Sequence, residues 1–182
     1  MKEFWDFEET VGYIEVKAKD GIIYKVWESG NTQLAADTLA RVRKDLNKLL
    51  LFAYNNPQYW YDKPIAWGMF LTFDVHMPNV FNYQEINPIA AKELGLLGIN
   101  KPKEITTLSN GYRVGTGRSI FLTLRNNKTD RFDNYSKIID LAIHELTHTT
   151  CNDIVWKKDN HEPPYNSYHL LMRKMAKDCG II

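Results

Sequence analysis

The chain has little that would cross-link it or anchor it. It carries two cysteines, Cys151 and Cys179, too few for a disulfide-stapled scaffold, and they read as free thiols. No run of about 18 apolar residues occurs, which excludes a membrane-spanning helix. The stretch from Met1 to Glu9 is acidic and lacks the apolar core of a signal peptide, so the expectation is an intracellular protein, cytoplasmic or nuclear. Neither sign of charge dominates. A net charge of +1 creates no global field to draw nucleic acid or an acidic partner, and any basic surface must be local. Internal repeats and low-complexity linkers are missing too. Residues 1–182 are therefore expected to form one domain, with 1–30 as an N-terminal hairpin extension.

What is present is an ordinary globular pattern enriched in aromatics, at 13%. Val11 to Trp27 reads as a hairpin, with β-rich runs on either side of Asp20-Gly21. After Gly30-Asn31, the residues Leu34, Ala35, Leu39, Val42, Leu46, Leu49 and Ala53 recur at helical spacing, with Asn31 as N-cap. The opposite face carries Arg41, Arg43, Lys44 and Lys48 and reads as a solvated face. Between Asn55 and Asn87, Trp67 to Val75 reads as a strand and the remainder as aromatic-packed loop. Pro88 to Leu94 suits a short helix opened by proline. Glu104–Leu108 and Tyr112–Val114 flank Asn110-Gly111, a second hairpin signal. Ser119 to Arg125 reads as a buried strand and Asn126 to Asp133 as a polar loop. Helices are expected from about Asn134 to Thr149 and from about Pro164 to Lys177.

The string with chemical meaning is His144-Glu145-Leu146-Thr147-His148. On a helix, residues four apart lie one turn above each other, so both imidazoles can reach one zinc ion. Glu145 lies beside the first of them, where it can take a proton from metal-bound water as general base. The preceding turn, Ile138 to Ile143, is apolar nearly all round, so the helix is expected to be buried. A carboxylate and two imidazoles buried together need partners, which strengthens the metal reading.

A catalytic zinc takes a third protein ligand beside its water. Asp153, His161, Glu162 and His169 are the candidates, and His161 is favoured because the chain between it and His148 is long enough to leave the helix and return. His76 lacks metal-like spacing and reads as structural. Tyr165 and Tyr168 are candidate donors to a developing oxyanion, and Tyr165 equally suits packing beneath the site. Cys151 reads as a buried thiol rather than a ligand. An extended substrate can add itself to a free strand edge, and Ile120, Phe121, Leu122, Thr123 and Leu124 form the candidate strand.

Leu97-Gly98-Ile99-Asn100, the strand Ile120 to Arg125, the helix Tyr135 to His148 and the pair His161 and Tyr165 together resemble the WLM-domain metallopeptidases, relatives of the SprT-like group. The resemblance runs roughly from Thr38 to Met175, with a longer interval before the third histidine and an insertion at 101–115. It implies an α+β, minimal zincin-like fold, a mixed sheet packed against the His-Glu-x-x-His helix and flanking helices. It implies His144, His148 and His161 as ligands of one zinc ion and Glu145 as base. It also implies a protein or peptide substrate, often a protein crosslinked to DNA, with DNA as activator. The competing reading is a catalytically inactive, zinc-stabilised protein-binding module, which would have no use for Glu145.

Overall fold

The structure, a computed structural model, describes residues 12–76, 81–88, 91–92, 95, 97–104, 116–126, 129, 131–151 and 164–182. It begins with the expected hairpin. Strands β1 (Tyr13–Lys17) and β2 (Ile23–Trp27) pair antiparallel, with Tyr13 opposite Trp27 and Lys17 opposite Ile23. The turn closes because Gly21 takes φ 81° and the Asp20 carboxylate accepts the Ile22 amide at 2.9 Å. Strand alternation buries Tyr24 and Val26 while Ile23 and Lys25 face solvent.

Helix α1 (Thr32–Asn55) starts where Asn31 accepts the Leu34 amide at 2.9 Å, which satisfies one of the orphan donors of a helix start. Its buried stripe includes Ala35, Leu39, Val42, Leu46, Leu49 and Ala53, as the spacing predicts. Helix α2 (Ala66–His76) replaces the strand expected over Trp67 to Val75. The segment is short and apolar on most sides, which hides the period from the sequence. Burial of Gly68, Met69, Thr72 and Phe73, with Trp67 and Phe70 exposed, is a helical face.

Strand β3 (Phe81–Glu85) lies in a stretch read as loop, and β4 (Gly98–Glu104) lies mostly upstream of the arm expected from Glu104. With β5 (Thr116–Leu122) they form a three-stranded mixed sheet in the order β3-β5-β4. β5 runs parallel to β3 and antiparallel to β4, with Glu104 opposite Thr116. The remainder of the expected second hairpin lies outside the described residues. Pro88, Ala91 and Lys92 are helical, and the other residues of the short helix expected there, except its first, also lie outside them.

Helix α3 (Tyr135–Thr150) and helix α4 (Tyr165–Asp178) fall within a residue of their expected bounds. The architecture is α+β: a hairpin, a mixed sheet and four helices among the described residues. One apolar cluster draws Tyr24 and Val26, the α1 stripe, Ile120 and Leu122, Ile138 to Leu146, and Met172 to Ala176 together. The other face of the sheet holds a smaller cluster of Ile86, Ala91, Ile99 and Phe121.

Candidate metal centre

Three elements grip α3 along the turn that carries the histidines. α2 approaches so closely that a Cβ at Gly68 would stand 1.7 Å from the Thr150 carbonyl oxygen. On the sheet side, the buried Asn100 of β4 donates from Nδ2 to the Glu145 carbonyl at 2.6 Å and to Thr149 Oγ1 at 2.8 Å. From α4, Arg173 pairs with Asp140 at 2.7 Å and the Tyr165 hydroxyl donates to the His144 carbonyl at 2.9 Å.

This grip brings His144, Glu145 and His148 together. One ligand atom from each lies within 4.8 Å of the other two. The imidazole centroids are 5.1 Å apart, and His144 Nε2 stands 4.0 Å from Glu145 Oε1. Both histidines are half-buried, whereas Glu145 is only 5% exposed. Burial pushes its carboxyl up to about 8, because the apolar surroundings disfavour the ionised form. Two imidazoles one helical turn apart, with a carboxylate beside them, form a donor set that suits zinc and neighbouring transition metals. The residues therefore fit an ion.

The other expected participants divide. His161, Asp153 and Glu162 lie outside the described residues. His169 stands on α4 with its ring 5.6 Å from that of His144, but Tyr165 is stacked against it at 5.6 Å and lies tilted against His148 at 4.6 Å. The tyrosine thus sits between His169 and His148, and His169 is absent from the close group of ligand atoms. The Tyr165 hydroxyl, expected as an oxyanion donor or as packing, is occupied by the His144 carbonyl. Cys151 and Cys179 are not joined in a disulfide.

The candidate substrate strand needs correction. Ile120, Phe121 and Leu122 lie in the central strand, paired with β3 on one side and β4 on the other. Thr123 donates its amide to the Leu97 carbonyl at 2.9 Å, and Leu124 accepts from Asp133 at 2.9 Å. From Ile120 to Leu122 both sides of the strand are already paired, so they offer no edge to a peptide. Among the described residues, nothing pairs with the outer side of β4, the strand that carries Gly98 and Asn100. Lys101-Pro102-Lys103 gives β4 little strand signal in the sequence, but proline is tolerated at an edge. The basic residues divide as well. Arg118 and Arg125 are buried, leaving Arg41, Lys44 and Lys48 on the exposed face of α1.

No family model matches the chain, and no curated protein matches it. Among solved structures, two chains of Wss1 from S. pombe, a WLM-domain protein, are similar to it, one of them a mutant form. Each is 21% identical; they cover 84% and 85% of this chain and 91% and 88% of their own, with TM-scores of 0.40 and 0.41. Likeness at that level says nothing about chemistry, and the centre stands on its own geometry.

Proposed function

We propose that the chain is a zinc-dependent endopeptidase with a zincin-like domain. The observation that carries this reading is the close group of His144, Glu145 and His148 on a buried helix, with the carboxylate sequestered beside the two imidazoles. His144 and His148 would hold the ion. His161 is the proposed third ligand, since four residues before Tyr165, whose ring lies 4.6 Å from that of His148, it stays within chain reach. Zinc, when bound, lowers the pKa of water to about 7 and polarises the scissile carbonyl.

The remaining steps belong to the protein. Glu145, whose carboxyl burial alone pushes up, would be ionised only with a cation held by His144 and His148. The carboxylate then takes a proton from the attacking water and returns it to the departing amine. Tyr165 holds the His144 turn in the resting state and, once released from that carbonyl, can donate to the oxyanion. An extended peptide would pair with the outer side of β4 rather than with β5. The shared apolar cluster supports one functional domain with the hairpin included.

The resemblance to WLM-domain metallopeptidases supports a narrower substrate, proteins crosslinked to DNA, with DNA as activator. Cleavage that does not respond to added single-stranded DNA would remove that part and leave the peptidase.

The test of the main reading combines metal analysis with digestion of unfolded casein. Purified protein should bind one zinc ion, lose cleavage on chelation and regain it with zinc. Glu145→Gln should keep the ion and lose about 10²- to 10⁴-fold in rate. Near-normal turnover in that variant would overturn the base assignment. Zinc binding without any cleavage by the native chain would favour a binding module.

A further inference from the structure

The segment Leu97 to Asn100 has no ligand and no proton to move, yet it lies directly against the base. Gly98 and Asn100 are two apart on β4, so they share the face turned toward α3. A Cβ built on Gly98 would stand 2.7 Å from Glu145 Oε1, 2.8 Å from its Cγ and 3.0 Å from its Cδ. The Glu145 side chain therefore occupies the space that any other residue at 98 would fill. The backbone gives no independent reason for glycine, because among the described glycines the positive φ values fall at 12, 21, 30, 95 and 180.

Asn100 fixes the main chain of the same residue. It donates to the Glu145 carbonyl at 2.6 Å and to Thr149 Oγ1 at 2.8 Å, so one buried amide ties the sheet to the helix at the level of the base. Upstream, the Leu97 carbonyl accepts both the amide and the hydroxyl of Thr123, at 2.9 and 2.8 Å, which pins the start of β4 to the end of β5.

We infer that Gly98 and Asn100 are positioning residues for Glu145: the glycine shapes the space its carboxylate occupies and the asparagine sets the height of its backbone against the sheet. The inference rests on the peptidase reading for its kinetic consequence and on contact geometry alone for its structural one. Displacing the carboxylate moves a flexible side chain rather than backbone, so a methyl group costs some stability without breaking the fold, while catalysis loses its geometry. A misplacement of about 1 Å can cost on the order of 100-fold in rate.

Two measurements test this on the full chain. With unfolded casein as substrate, Gly98→Ala should lower kcat at least about tenfold, with KM and zinc affinity nearly unchanged. Asn100→Asp, which keeps the shape but removes both donors, should do the same to a smaller degree. Unchanged kcat in both variants would overturn the inference, as would a loss confined to KM. Independently of activity, thermal unfolding of the zinc-free protein gives a double-mutant cycle. Gly98→Ala should destabilise the native chain and lose that effect in a Glu145→Ala background. Equal destabilisation in both backgrounds would show that the methyl group does not meet Glu145. If the native chain shows no zinc-dependent cleavage, the peptidase reading fails while this cycle still decides the contact.

Discussion

The molecule buries two glutamates in opposite ways. Glu85 at the end of β3 is fully buried, but its carboxylate accepts Arg125 Nε at 2.8 Å and the Trp27 amide at 2.8 Å. Arg125 is itself occupied, donating to the Ser29 and Trp27 carbonyls and lying over the Phe132 ring at 4.8 Å. Burial raises the Glu85 carboxyl, and the Trp27 amide and Arg125 pull it back. Glu145 is almost as deeply buried, yet its upward shift has burial as its cause, with no compensating donor among the described residues. The first carboxylate is a clamp between the hairpin and the sheet. The second pairs with no Lys or Arg among the described residues and faces the His144 imidazole at 4.0 Å. Burial with partners gives structure; burial without them gives reactivity.

Arg125→Met should show the clamp most strongly. It leaves Glu85 buried without its cation, and denaturant unfolding should report a loss of about 3–5 kcal/mol. In the same assay on zinc-free protein, Glu145→Gln should cost no more than about 0.5 kcal/mol, because it removes no partner. Comparable losses in the two variants would erase the distinction. A smaller effect is expected at the helix crossing behind the site. Gly68→Ala puts a methyl group into the Thr150 carbonyl, and opening α2 from α3 should cost about 1–3 kcal/mol. Smaller than the helix-crossing effect is that of Asn31→Ala, which loses the α1 cap. A drop of about 1 kcal/mol in unfolding free energy with unchanged casein cleavage would separate scaffold from site.

Legibility in the sequence followed the range of the interactions. The hairpin turn, the α1 stripe with its cap, and both C-terminal helices were readable because their signals are local. Trp67 to Val75 misled because a short apolar run has no visible period, and only packing of Gly68 against Thr150 settles it as helix. Phe81–Glu85 gave no strand signal of its own; it is a strand because β5 pairs with it. The preference for Ile120 to Leu124 as a substrate edge failed for a related reason. Apolar residues mark burial, and the most buried strand here is the central one, whose hydrogen bonds are already taken. Charge in the sequence does not mark surface either: Arg118 and Arg125 are both buried, and Arg125 serves the Glu85 clamp.

The sequence by itself determined the pairing of His144 with His148 and the nearness of Glu145, because four residues make one helical turn wherever a helix forms. The fold decided how that turn is used. Tyr165 between His148 and His169, the close approach of Glu145 to Gly98 and the Asn100 amide on the Glu145 carbonyl depend on contacts between segments distant in sequence. A linear pattern records which groups a helix face carries, whereas the neighbours that hold those groups in place are chosen only when the sheet and helices close around them.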